Sequence, residues 1–184
     1  MRSAFFLTAL AVCAAARGQE IVLTPDPAAA TVQFKLSATL HTVHGSFKLK
    51  RGAIRFDPAT GKISGEVVVD ATSAASGNDG RDRRMHSEIL ESAKYPEIVF
   101  TPDRVDGGVA PQGASQIQVH GTFRIHGAAH EITLPVRVQM NKGQASVKTS
   151  FAIPYVQWGM RNPSTTFLHV GDKVEIEAAA GALR

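Results

Sequence analysis

A chain of 184 residues with 20 basic and 16 acidic side chains carries a formal net charge of +4 at pH 7. That near balance, with no basic stripe interleaved with aromatics, speaks against a nucleic-acid binder held by phosphate neutralisation. The single cysteine, Cys13, excludes a disulfide framework.

The first element in chain order is an export signal, expected over residues 1–18. Arg2 supplies its positive start, and Ala4 to Ala16 form an apolar run shorter than the roughly 20 residues needed to span a bilayer. Ala14, Ala16 and Gly18 are small enough to flank a cleavage site. Removing Arg2 and Arg17 leaves 18 basic against 16 acidic residues, and one domain over 19–184 in a periplasmic or secreted protein. Cys13 follows Leu10-Ala11-Val12, which resembles a lipoprotein cleavage box, but Val12 is a poor residue before a lipidated cysteine. Cleavage without lipidation removes the only thiol and with it any cysteine chemistry.

From residue 31 onward, period-two alternation dominates. Strands are expected at Val32 to Leu36, Ser46 to Phe56 and Ile63 to Asp70, the last two joined by the turn Asp57-Pro58-Ala59-Thr60-Gly61. Asn78 to Ala93 departs from this pattern: Met85, Ile89 and Ala93 recur every four positions, which predicts one helix with Asp82 and His86 close enough to bond each other. Arg81, Arg83 and Arg84 read as its solvated face. Tyr95-Pro96 ends the helix and returns the chain to strand at Ile98 to Phe100.

The clearest alternation follows. Ile117, Val119, Gly121, Phe123 and Ile125 form a dry face against Gln118, His120, Thr122, Arg124 and His126. Gly127-Ala128-Ala129 is expected to turn the chain into Ile132, Leu134, Val136, Val138 and Met140, and Asn141-Lys142-Gly143 into Ala145 to Ile153. An irregular stretch, Pro154 to Gly171, precedes a last strand at Lys173 to Glu177. Many strands with one apolar face and a single helix to cover it argue for a sandwich or a closed barrel. Closure is favoured because it also removes free strand edges.

The segments Asp26 to Phe34, His44-Gly45-Ser46-Phe47, Phe56-Asp57-Pro58, Gly77-Asn78 with Arg81-Asp82, Tyr95 to Phe100 and Gly121 to Gly127 resemble, in this order and spacing, the YceI-like family. The likeness runs from Leu23 to Glu175. It departs from the commoner pattern after Arg81-Asp82, where His86 comes late, and Tyr155 to Met160 with Asn162 to Thr165 mark a narrower subgroup. The resemblance implies an all-β protein with one helix: an extended, lipocalin-like, eight-stranded antiparallel barrel whose tunnel holds a polyisoprenoid or quinone-like lipid.

On that expectation, Phe34, Leu36, Phe47, Met85, Ile89, Phe123, Phe151, Trp158 and Phe167 line the tunnel, and His41, Arg81 and His86 are candidates to meet a polar head group. Burying a hydrocarbon chain yields about 0.8 kcal/mol per CH₂, so an isoprenoid needs no charged anchor. Read without the family, the same residues fill a solid core, and the alternative function is a stress-protection or protein-interaction module. No cofactor, metal or nucleic acid is expected. Transient membrane contact fits a lipid ligand, and oligomeric state, a dimer included, is left open. His120, His126 and His130 cluster around a hairpin, but His120 and His126 point outward and lack a carboxylate or thiolate at ligand spacing. No G-x-S-x-G elbow, P-loop or HExxH helix is present, so no catalytic residue is assigned and the chain is read as a non-enzyme.

Overall fold

The computed structural model describes residues 20–39 and 41–183. The expected signal and Cys13 lie outside the described residues. Among the described residues nine strands form one antiparallel sheet: β1 (Ile21–Leu23), β2 (Thr31–Ala38), β3 (Thr42–Asp57), β4 (Lys62–Ala75), β5 (Glu97–Asp106), β6 (Gly113–Ile125), β7 (Ala128–Asn141), β8 (Gln144–Ile153) and β9 (Val170–Leu183). Each strand from β2 to β9 pairs with its chain neighbour, and β9 returns to β2, from Thr31 opposite Ala179 to Ala38 opposite Val170. Eight strands therefore close into a barrel. β1 lies outside that ring, pairing with the far end of β3 through Ile21 opposite Phe56.

The hairpin turns are set by backbone geometry. His126 and Gly127 have φ of 52° and 78°, and Lys142 and Gly143 have 48° and 79°. Two consecutive residues at positive φ match the right-handed twist of the strands they join. The first turn is consequently His126-Gly127, one step earlier than the sequence suggests, and Ala128 and Ala129 already belong to β7.

The helix also differs from its expectation. Asn78 caps α1 (Asp79–Arg84), its side chain accepting from the Arg81 N–H at 2.9 Å. The next five residues, Met85–Ile89, form a wider π turn, closed where the Leu90 N–H reaches the Met85 carbonyl at 2.9 Å. Glu91, at φ 44°, then takes the left-handed conformation and stops the helix, leaving Ala93 exposed beyond it. Asp82 and His86 do not bond each other. Asp82 turns back to the Ser76 backbone N–H at 3.0 Å and to its hydroxyl. The His86 Nε2–H donates to the Ala74 carbonyl, and Nδ1 is hydrogen-bonded with the Ser92 hydroxyl, both at 2.9 Å.

These connections give the barrel two unlike ends. One carries the β2–β3 turn, α1 with its π turn, the His126-Gly127 hairpin and the long β8–β9 connection; it is called the helical end below. The opposite end carries β1, the β3–β4 turn and the Lys142-Gly143 hairpin. Among the described residues no helix is long and apolar enough to cross a membrane.

Candidate functional site

The inward face of the sheet does not close on itself. A cavity of about 700 Å³ runs inside the barrel, bounded by apolar side chains from every strand. Phe34 and Leu36 of β2, Phe47 of β3, Phe123 of β6 and Phe151 of β8 lie on its wall, and Met85 and Ile89 reach it from the helical segment. Phe34 and Phe47 pack at a tilt with centroids 5.4 Å apart, and Phe123 meets Phe151 edge-on at 6.0 Å.

Two residues expected along the tunnel are elsewhere. Trp158 is off the cavity wall: it stands behind Phe123, centroids 5.9 Å apart, and stacks on His130 at 4.1 Å with the rings 4° from parallel. Phe167 is 95% exposed at the tip of the β8–β9 connection. Aromatic bulk near a loop does not tell which way the loop turns the ring.

At the helical end His41, Ser76, Arg81 and Arg84 contribute polar groups to the wall, and Thr31, Lys148 and Thr149 contribute others along β2 and β8. Arg81 is held in place by Ser76, donating from Nε to its hydroxyl at 2.7 Å and from Nη2 to its carbonyl at 2.9 Å. Arg84 and Arg81 border the cavity, so only Arg83 of the basic run is fully solvated as expected from the sequence. His86 is not on the wall; its two ring nitrogens are used up bracing the segment against β4.

Polar contacts also fasten the cover over this end. Glu88 accepts from Arg161 at 2.8 Å and from Arg84 at 3.3 Å, joining the β8–β9 connection to the helical segment. Glu91 meets the His126 ring nitrogen at 3.1 Å. Tyr155 donates its hydroxyl to the Gly171 carbonyl at 2.7 Å, and burial, with the nearby Asp172 charge, pushes the phenol up to about 12.

Sequence reasoning missed several wall residues. Ile117, Val119, Leu134, Val136 and Val138 were legible as a dry face, and they line the middle of the cavity. Tyr155, Met160 and Leu168, from the irregular connection, carry no period to reveal them. His130, grouped with His120 and His126 around the hairpin in the sequence, stands opposite Phe123 on the inward face, with its Nε2 buried and unpartnered. Its alternation with Ile132 was the available signal. His120 does face outward, held between Asp106 and Thr133 at 2.7 Å each. Among the described residues no group of three or more metal-ligating side chains converges.

A family profile described as the YceI-like domain matches residues 23–182. The chain belongs to the YceI-like family. Solved structures similar to this YceI-like chain include BcnA of Burkholderia cenocepacia, at 19% identity and a TM-score of 0.70, covering 84% of this chain and 97% of that one. A polyisoprenoid binding domain from Saccharophagus degradans, implicated in plant cell wall breakdown, is 19% identical with a TM-score of 0.68, covering 87% and 97%. The YCEI protein of Campylobacter jejuni is 20% identical with a TM-score of 0.55, covering 78% and 88%. At these identities the likeness is one of fold. No curated protein matches the YceI-like chain significantly.

Proposed function

We propose that this protein holds a long apolar lipid of the polyisoprenoid kind inside its barrel, with binding and not turnover as its task. The observation that carries the reading is the cavity: about 700 Å³ of space continuous through the barrel, with apolar side chains on nearly all of its wall. Sites for small organic ligands span roughly 300–1,000 Å³ and combine such a wall with a few convergent polar groups. Arg81, Arg84 and His41 supply those groups at the helical end, so a polar head belongs there and the tail extends toward Ile21, Leu23 and Pro25. Membership of the YceI-like family and the similar fold of a polyisoprenoid binding domain support the same ligand class.

The solid-core alternative loses its basis, because the barrel interior is hollow. With the export signal expected at residues 1–18, the reading assigns the carrier to the periplasm or the exterior, between the membranes it serves. Purification from the native host under mild conditions, solvent extraction and mass spectrometry test the proposal. A stoichiometric isoprenoid is the expected result; a protein that arrives empty and also refuses added polyprenol overturns it.

A further inference from the structure

We infer that the tip of the β8–β9 connection is a membrane-docking wedge, with Phe167 inserting into the surface of a lipid bilayer beside the helical end of the cavity. This rests on the lipid-holding reading of the barrel and adds where the lipid enters and leaves.

Among the described residues Phe167 is the one large hydrophobic side chain left exposed, at 95%. A lone exposed apolar residue is ordinary on a protein surface. Here its neighbours are not ordinary: Leu168, next in sequence, and Pro163, four residues before, both line the cavity. One short segment therefore runs from an exposed ring directly to the cavity wall. The polar wall groups His41, Arg81 and Arg84 lie at this same end, where a head group at a bilayer surface would be met.

The tip is rigid enough to act as a wedge. The Thr165 N–H reaches the Leu168 carbonyl at 2.8 Å, and the Leu168 N–H returns to the Thr165 hydroxyl at 3.2 Å. Behind it, Thr39 and His169 exchange bonds, with the His169 N–H donating to the Thr39 hydroxyl at 3.0 Å and the Thr39 N–H to the His169 carbonyl at 2.9 Å. Phe167 thus points outward from a braced turn and loses little freedom on insertion. From Asn162 to Leu168 the segment carries no charged side chain, so nothing at the tip must be stripped of strong hydration to enter an interface.

The test uses vesicles of phosphatidylcholine with phosphatidylglycerol, loaded with an all-trans C40 polyprenol too insoluble to cross water alone. Wild type, Phe167→Ser and Phe167→Trp are compared for flotation with the vesicles and for polyprenol uptake measured by mass spectrometry. Each protein is also loaded directly from ethanol. Burial of one aromatic side chain predicts that Phe167→Ser loses about tenfold in vesicle binding and uptake, that Phe167→Trp retains both, and that all three load equally from ethanol. Wild-type uptake by Phe167→Ser, with ethanol loading intact, overturns the docking inference and leaves the cavity reading standing. Failure of every protein to load from ethanol overturns the cavity reading itself. A wild-type dimer that Phe167→Ser dissolves, with vesicle binding unchanged, overturns the inference in favour of a second copy as the occupant of this surface.

Discussion

Phe123→Asp and Arg124→Asp differ by one position in β6 and place the same carboxyl on opposite sides of the barrel wall. Phe123 is 8% exposed and faces the cavity, whereas Arg124 is exposed. Removing a buried phenylalanine ring costs about 3–5 kcal/mol. Apart from the His130 ring, its cross-strand partner on β7, the new carboxyl meets apolar side chains, Phe100 on β5 among them, so desolvation raises its pKa above the unfolded value of about 3.9. Below that value both states are protonated and only the ring is missed. Above it the unfolded chain releases a proton that the folded one keeps, and stability falls by about 1.4 kcal/mol per pH unit until the raised pKa is passed. A rise of two to three units adds about 3–4 kcal/mol at pH 7, and the total approaches the whole stability of a typical domain, about 5–15 kcal/mol. Urea unfolding at pH 4 and pH 7, referenced to wild type, measures this. Arg124→Asp should stay within about 0.5 kcal/mol at both pH values. A penalty in Phe123→Asp that does not grow with pH would mean a wet cavity and refute the reasoning. Equal penalties in the two variants would refute the facing itself.

Other consequences are open to direct measurement. Glu97 accepts a hydrogen bond from Arg51 at 2.9 Å and meets Lys50 at 2.8 Å, which together hold its carboxyl at about 2 against an ordinary 4.5. A lowered folded pKa gives stability that is present above about 4.5 and lost as pH falls through about 2, so Glu97→Gln should flatten the acid limb of the stability profile in that window. In a Tyr95→Phe protein the remaining tyrosine, Tyr155, should ionise only near pH 12, and a full absorbance change near pH 10 would contradict its burial against Gly171. Gly45→Ala should destabilise by about 1–3 kcal/mol and disturb the cavity wall, because its Cβ would run into the Phe34 ring and lie 2.6 Å from the Ala75 carbonyl oxygen; a neutral melting temperature would count against that packing.

The barrel was legible wherever alternation was long. β6 and β7 declare their faces through Ile117 to Ile125 and Ile132 to Met140, and the dry side of each is the cavity wall. β1 was not legible, since Ile21–Leu23 is too short to show a period and is held only by pairing with Ile54 to Phe56. The ends of β4 and β9 were also understated. Ala71 to Ala75 and Ala178 to Ala180 are small residues with little intrinsic strand preference, and the neighbouring strands, not their own side chains, keep them extended. The site divides the same way: Phe34, Leu36, Phe47, Phe123 and Phe151 sit on periodic strands and face the cavity. Trp158 and Phe167 sit on an aperiodic connection, where direction is decided by bonds such as Thr165 to Leu168 that no pattern announces.

Eight strands make a barrel that side chains can fill or that can hold one small ligand, so strand number alone does not decide whether the inside is hollow. Side-chain size decides it here. Where β8 and β9 meet, the wall carries Ala145, Ala178, Ala179 and Ala180, facing Val32, Val136 and Val147 and not large aromatic rings. The larger rings, Phe34, Phe47, Phe123 and Phe151, belong to the cluster at the helical end, under the cover that Glu88 and Arg161 tie down. An empty apolar interior forfeits the contacts that would otherwise line it, so the unliganded barrel gives up stability that a solid core would have. A ligand that binds only the folded state restores it as RT ln(1 + [L]/Kd), about 2.7 kcal/mol when the lipid stands at a hundred times its dissociation constant. Melting temperature should therefore rise with lipid loading, and a substitution that fills the alanine-lined region, such as Ala178→Leu, should raise the stability of the empty protein while shrinking the rise on loading. Opposite signs for those two effects follow only if the space is the binding site; a filled barrel whose response to lipid is undiminished would place the ligand elsewhere.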